Sequence, residues 1–424
     1  MVSATTCIDV GTGTEEGPMV IGGFGAGSRS SRTWGSDRGP RGTGNADSRG
    51  LSPASRSRRV GPSLDHRSPT AVPDAPTPGN RYRPPQARRD AVDYTTSDAK
   101  AWAREKLVGQ WTTMVTPFTP DDRLDEEGLA SNIEHVLRLG TKGMGFSWNM
   151  GEFWSLTRAE RLRLMELVPT LVRGRALTAF QITDTCLKEV VSMGQRAQEL
   201  GFDLVILAPP YIVTKTEEQV LDFTKRVASQ LGLGIAFYNS PQFGITLSAK
   251  ALARMADLKN LIAIKEASFN MQLSIDTHLQ AGEKAVVSVP DEEIFFFEEY
   301  YGFHQQVMFA NTSDWRFDTE DSHHYVNFVD LATQGRLEEA KRRYYPELWP
   351  IKSLSRRWWT RLVARTGGAL PVQMVKYWGE LMGLKSGHVR PPLVPLTDEE
   401  RTELRQDLSR LRPARVRATG AAAA

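Results

Sequence analysis

The sequence predicts an α/β chain: a (β/α)8 TIM barrel with a C-terminal helical extension and a disordered N-terminal tail. Three observations predict it. Eight short apolar, β-branched runs recur between residues 108 and 311, apolar along their length as strands covered on both faces are. Longer amphipathic stretches alternate with them, with apolar residues three and four apart. Strand-then-helix units of about 25–35 residues, eight times over, favour closure over a doubly wound open sheet, and no run carries a dinucleotide fingerprint.

Residues 1–104 come first. Stretches such as GSRSSRTWGSDRGPRGTG are rich in Gly, Ser, Pro and Arg and poor in aliphatics. They bury too little apolar surface to offset the entropy of ordering, so the segment reads as disordered. GTGTEEG (11–17) and GGFGAG (22–27) space their glycines like a phosphate cradle, but no helical pattern follows either. The arginines suit weak contacts with acidic partners or a transit segment; an over-extended gene start explains the stretch equally well.

The barrel is expected over residues 105–320. Its strand runs are VGQWTTMVTPF (108–118), GMGFS (143–147), ALTAF (176–180), LVILA (204–208), GIAFYN (234–239), LIAIKE (261–266), AVVSV (285–289) and QVMFAN (306–311). Between the early ones lie helix patterns at 126–140, 159–172, 187–201 and 217–232, and Gly follows three of these four. Residues 321–412 continue with helical spacing. TDEERTELRQDLSRL (397–411) opens on Thr397 with Glu400 three residues later, a capping box. Residues 413–424 read as a frayed tail.

Composition excludes several function classes. A net charge of +3 over 424 residues predicts neither a nucleic-acid partner nor a membrane surface. No apolar run reaches the roughly 18 residues that a spanning helix needs. The chain start lacks the apolar core of a secretory signal. Two cysteines, Cys7 and Cys186, make neither a disulfide framework nor a metal site, which fits a cytoplasmic protein.

Chemistry is expected where the strands end, on the C-terminal face. Lys265 ends the sixth strand. Alternation puts Ala263 and Lys265 toward the barrel interior, and Ile262, Ile264 and Glu266 toward the helix layer. Burial favours the neutral amine, a nucleophile that forms Schiff bases with carbonyls. The plainer alternative is a lysine snorkelling to solvent or pairing with a carboxylate. Tyr238 holds the corresponding position on strand five, as a proton shuttle or as a buried aromatic. After strand two, the turn Asn149-Met150-Gly151-Glu152 offers backbone N–H groups to a substrate carboxylate, or serves as an ordinary turn with Glu152 as a structural acceptor.

These residues together carry a resemblance. Thr116-Pro117-Phe118, Gly151-Glu152 with Leu156-Thr157, Pro210-Tyr211, Tyr238-Asn239 with Pro241, Ile264 to Ser268, and LMGLKSGHVRPPLVPLTDEE (381–400) occur in order and spacing. Over residues 107–412 the chain resembles the dihydrodipicolinate synthase / N-acetylneuraminate lyase family of Schiff-base aldolases. The resemblance implies a barrel with a helical extension, assembled as a homo-oligomer, usually a tetramer. It implies an imine between Lys265 and the ketone of pyruvate or another 2-oxo acid, with Tyr238 as the acid/base. The imine is itself the electron sink, so neither a metal nor a dissociable cofactor is implied.

Departures from the family pattern bear on the substrate. Trp148-Asn149-Met150 stand where the family commonly has Gly-Thr-Thr. Asn149 replaces a relay hydroxyl, and Met150 can offer a carboxylate only its backbone N–H. Tyr211 is followed by Ile212 rather than a second tyrosine. Gln242-Phe243 stand where the synthases place an arginine for the aldehyde's carboxylate, a charge-assisted contact worth ~2–3 kcal/mol. Phe243, Trp148, Phe153 and Trp154 therefore suit a neutral or aromatic partner, and Tyr211 and Asn311 are further candidate contacts. The alternatives are a dehydratase of a sugar-derived 2-oxo acid, the lysine-biosynthesis reaction itself, and a barrel that has lost catalysis and serves as a scaffold. Other features point to less. His323-His324 diverge on a helix and rarely share a metal. Asn311-Thr312-Ser313 is formally a glycosylation acceptor. Asp291-Glu292-Glu293 suit a substrate hydroxyl or a helix dipole. Arg356 to Trp359 suit an oligomer contact or packing on the barrel.

Overall fold

The computed structural model describes residues 92–411. The expected disorder over 1–91 and the tail from 413 onward lie outside these residues. Eight parallel strands are present: β1 (Gly109–Thr113), β2 (Gly143–Phe146), β3 (Leu177–Gln181), β4 (Leu204–Leu207), β5 (Gly234–Asn239), β6 (Leu261–Glu266), β7 (Val286–Ser288) and β8 (Val307–Asn311). The ladder runs β7-β6-β5-β4-β3-β2-β1-β8. Side chains bridge the remaining seam. Ser288 Oγ accepts the Phe309 N–H at 2.6 Å. Gln305 accepts the Val289 N–H at 2.6 Å and donates to the Val289 carbonyl at 3.1 Å. The barrel is thus nearly closed, with its seam held by two polar side chains.

The first helix, α1 (Ala99–Lys106), corrects the expected boundary at residue 105. Ala99, Ala103 and Leu107 join Leu204, Ile262 and Val307 in the inner cluster at the N-terminal end of the strands. Tyr94 anchors the approach to α1: its hydroxyl donates to the Asp203 carbonyl at 2.6 Å and accepts the Gly234 N–H at 2.8 Å. An eight-residue helix whose buried face is mostly alanine carries too little periodicity to stand out in sequence.

Ile262 is a second correction. The β5–β6 ladder slips by one residue between Ile235 and Ala236. Both Ile262 and Ala263 therefore belong to the inner cluster, while Ile264 packs in the outer one, against the helix layer. After the slip the register is regular, and Tyr238 pairs with Lys265 and Asn239 with Glu266.

The helices that follow the first five strands are α2 (Glu126–Leu139), α3 (Arg158–Val172), α4 (Leu187–Glu199), α5 (Glu217–Ala228) and α6 (Ala249–Met255). Those after β6 and β7 are α7 (Met271–Ala281) and α8 (Glu298–Tyr301). Then come α9 (Ser313–Phe317), α10 (His324–Ala332), α11 (Leu337–Arg365), α12 (Val372–Leu381) and α13 (Asp398–Leu411). The capping box of α13 is formed, with the Thr397 N–H on Glu400 at 3.0 Å and the Glu400 N–H on Thr397 at 3.2 Å. Asp291 to Glu293, after β7, meet α11 rather than a helix dipole alone: Lys352 lies 2.8 Å from Glu292, and Arg356 lies 2.5 Å from Glu293. Among the described residues no helix is long and apolar enough to cross a membrane, and no cluster of three or more His, Cys, Asp or Glu could hold a metal ion.

Candidate active site

The site is built on a tryptophan floor that glycines make possible. On β2, a Cβ at Gly143 would lie 2.3 Å from the Trp111 ring, and one at Gly145 would lie 2.3 Å from the Trp148 ring. Only glycine lets both indoles lie flat against the strand. Trp111 and Trp148 then pack on Phe309 at 4.9 and 5.4 Å between ring centroids.

Lys265 stands above this floor, 6% exposed. Its Nζ lies 4.3 Å from the centroid of Trp148 and 5.0 Å from that of Tyr238. Burial pulls its pKa from 10.5 down to about 7, so a large share of the amine is neutral near neutral pH. Burial pushes the Tyr238 phenol the other way, up to about 12, against a hydrogen bond from Ser240. Its proton therefore stays on at neutral pH. Asn149 Nδ2 donates to the Tyr238 hydroxyl at 3.4 Å, and Asn149 Oδ1 is buried with no partner among the described residues.

Glu266 faces away from the amine and fixes the turn after β6. It accepts from Ser274 Oγ at 2.5 Å, from Ser268 Oγ at 3.1 Å and from Asn239 Nδ2 at 3.3 Å. This network holds the strand ends of β5 and β6 in register beside the two reactive groups.

A cavity of about 130 Å³ opens onto Lys265. Tyr238, Asn149, Met150 and Asn311 line it together with the lysine. Gly151, Glu152, Tyr211 and Phe243 do not. The Gly151 N–H donates to the Trp148 carbonyl at 2.8 Å, and the Glu152 N–H to the Asn149 carbonyl at 3.1 Å. These two amides are spent inside a one-turn 3-10 segment, Asn149–Gly151, and do not form the anion nest expected from sequence. Glu152 then takes a left-handed backbone, φ 54°. Its carboxylate is fully buried against α12, 2.7 Å from Lys376 Nζ. Phe243 packs on the ring of Tyr238 at 5.5 Å and on Phe153 at 6.2 Å. Tyr211 joins Phe153 edge-on at 6.2 Å. These aromatics buttress the phenol from behind.

Part of this lining was not visible in the sequence. Phe269, Arg316, Trp359 and Leu370 also line the cavity. Phe269 is 68% exposed with φ 62°, a left-handed backbone that a bulky residue rarely adopts outside functional turns. Trp359 comes from α11, the segment read as an oligomer contact or packing; its neighbour Trp358 is the one buried in the core. No single spacing could have found these four: Phe269 and Leu370 lie in loops, and Arg316 and Trp359 on separate helices whose periods show which face is buried but not against what.

Residues 106–411 match the model of the dihydrodipicolinate synthetase family. The chain belongs to that family. It is therefore a lyase of the aldolase type. It is 25% identical over 306 residues to a 4-hydroxy-tetrahydrodipicolinate synthase of Methanothrix thermoacetophila, covering 72% of this chain and 96% of the relative. The synthase of Bacillus subtilis is 26% identical over 307 residues, covering 71% of this chain and 98% of its own. In fold, the chain is similar to a prophage protein of the dihydrodipicolinic acid synthase family from E. coli K12, solved in complex with pyruvate. That match has a TM-score of 0.62 and 22% identity, covering 72% of this chain and 98% of the other.

Proposed function

We propose that this family member is a class I aldolase that binds pyruvate or a related 2-oxo acid as an imine on Lys265. One observation carries the reading: a buried amine, drawn toward neutrality, lies beside a phenol that keeps its proton. The neutral amine adds to the ketone to give a carbinolamine. Loss of water, with a proton moved by Tyr238, gives the protonated imine. That cation acidifies the adjacent C–H bond; removal of the proton leaves an enamine, which attacks an aldehyde carbon and forms the new C–C bond. Hydrolysis returns the amine and releases the product. In this reading Asn149 holds the phenol and presents Oδ1 to the carbinolamine hydroxyl, and the Met150 backbone N–H takes the 2-oxo acid's carboxylate. The imine on Lys265 takes the role that a metal or cofactor fills in other lyases.

The partner sits on an apolar surface formed by Trp148, Phe269, Trp359 and Leu370. That surface favours an aromatic or otherwise apolar aldehyde. The reaction named for the relatives is the second reading, supported by their names; Gln242-Phe243 supply no guanidinium after β5 for its acidic aldehyde. The reading includes a homo-oligomer in the cytoplasm. The oligomer is supported by the exposed pair Ile212 (73%) and Val213 (69%) beside Tyr211, an apolar surface suited to a second copy.

Borohydride reduction in the presence of pyruvate tests the core of the reading. A covalent adduct mapped to Lys265, absent from Lys265→Ala, is the expected result. An adduct elsewhere, or none, rules out the imine. Product formation across a set of aldehydes then separates aldol addition from loss of a β-hydroxyl.

A further inference from the structure

Burying a cation without a counter-ion is costly, and this fold supplies carboxylates to its buried cations. Arg161 has Asp184 at 3.9 Å, Lys352 has Glu292 at 2.8 Å, Lys376 has Glu152 at 2.7 Å, and Arg390 has Glu160 at 2.8 Å. Arg316 differs. It is 5% exposed, yet no carboxylate among the described residues lies within ion-pair distance of it.

The side chain is nonetheless held firmly. Its Nε donates to the Thr312 carbonyl at 3.1 Å and to Thr312 Oγ1 at 3.0 Å, and Nη1 donates to Ser355 Oγ on α11 at 2.8 Å. The rings of Phe317 and Trp378 lie 5.2 and 5.7 Å from the guanidinium carbon. Among the described residues, no hydrogen-bond acceptor is paired with Nη2. Asp314, two residues away, spends Oδ1 on the Thr112 hydroxyl at 2.9 Å. Burial lowers Arg316 only to about 10, so it remains a cation at neutral pH. Asp314 and Glu292 act on it only at longer range, without direct contact, and this oriented fork lines the same cavity as Lys265.

We infer that Arg316 is a specificity-determining residue that anchors a carboxylate on the aldehyde partner, while Lys265 holds the 2-oxo acid. The inference rests on the imine reading above and names the partner more closely. The partner has an apolar body against Phe269 and Trp359 and an anionic end at Arg316. That revises the neutral partner expected from sequence. The guanidinium missing at Gln242-Phe243 is supplied instead from α9, past the end of β8. Ser355 is a positioning residue in this scheme.

The test uses matched aldehydes: 4-oxobutanoate against butanal, and 2-carboxybenzaldehyde against benzaldehyde. Binding is read by tryptophan fluorescence on the whole protein, independently of turnover. Wild type is expected to favour the acidic member of at least one pair by ~30-fold or more, the range of a charge-assisted contact. Arg316→Gln is expected to erase that preference, Arg316→Lys to keep part of it, and Ser355→Ala to weaken it. Three results overturn the proposal. One is an acidic preference that survives Arg316→Gln. Another is an equal loss for acidic and neutral aldehydes, which marks a structural residue. The third is a loss confined to borohydride trapping of pyruvate, which gives Arg316 to the 2-oxo acid's own carboxylate. Failure of trapping in wild type sinks the imine reading alone, since the binding comparison stands without it.

Discussion

The charge state of Lys265 can be titrated through its chemistry. Desolvation is the cause that moves the amine from 10.5 to about 7. At about pH 8 such an amine is roughly nine-tenths neutral, whereas one left at its ordinary value is roughly 0.3% neutral, a difference of about 300-fold in nucleophile. The assay is the initial rate of cyanoborohydride-trapped pyruvate adduct, read by intact-protein mass between about pH 6 and about pH 9. The rate should rise about tenfold from pH 6 to pH 8 and then level off. A rate that still climbs about tenfold per unit between pH 8 and pH 9 would refute the argument, because the amine would then be solvated. The same shift acts on stability. Between about 7 and 10.5 the unfolded chain keeps a proton that the folded chain has lost, so stability rises with pH across that window. Below it the burial penalty is present in full, of order 3–5 kcal/mol. Lys265→Met removes the charge at similar volume. It should melt several degrees above wild type near pH 6 and trap no pyruvate.

Three further outcomes are expected. Tyr238→Phe keeps the ring packing but loses the proton, so exchange of pyruvate methyl protons into D2O, followed by NMR, should slow by ~10²–10⁴-fold; a change under about threefold places the acid/base elsewhere. Glu152→Gln strands the buried Lys376 ammonium, both groups being 1% exposed or less, and should cost about 3–5 kcal/mol in thermal unfolding. The double variant Glu152→Gln/Lys376→Met should recover most of that loss; no recovery would show that the pair is not the source of the cost. Tyr94→Phe removes two hydrogen bonds beneath the barrel and leaves the Gly234 N–H and the Asp203 carbonyl without them. It should cost about 1–3 kcal/mol in denaturant unfolding, with trapping of pyruvate as the control.

The strand layer was readable because parallel strands buried on both faces appear as unbroken apolar runs. The runs for β5 and β6 match the observed strands to the residue. Lys265 and Tyr238 were readable for the same reason: polar groups that end such runs stand out. Ile262 was misplaced because strict alternation cannot anticipate a slipped ladder. Glu152 was ambiguous because its partner, Lys376, lies far along the chain in a helix with its own apolar pattern. Arg316 was hidden more completely. Nothing in SDWRF (313–317) distinguishes an arginine facing a cavity from one at the surface; only the packing of α9 against α11 does so.

The latch between Glu152 and Lys376 has a consequence for biosynthesis. The loop that carries Asn149 and Met150 is made early, and its counter-charge is encoded in one of the last helices. Until Lys376 leaves the ribosome, Glu152 has no ammonium to bury against, and the turn beside the amine lacks that anchor. A chain truncated before α12 would therefore lack the ammonium that Glu152 is buried against.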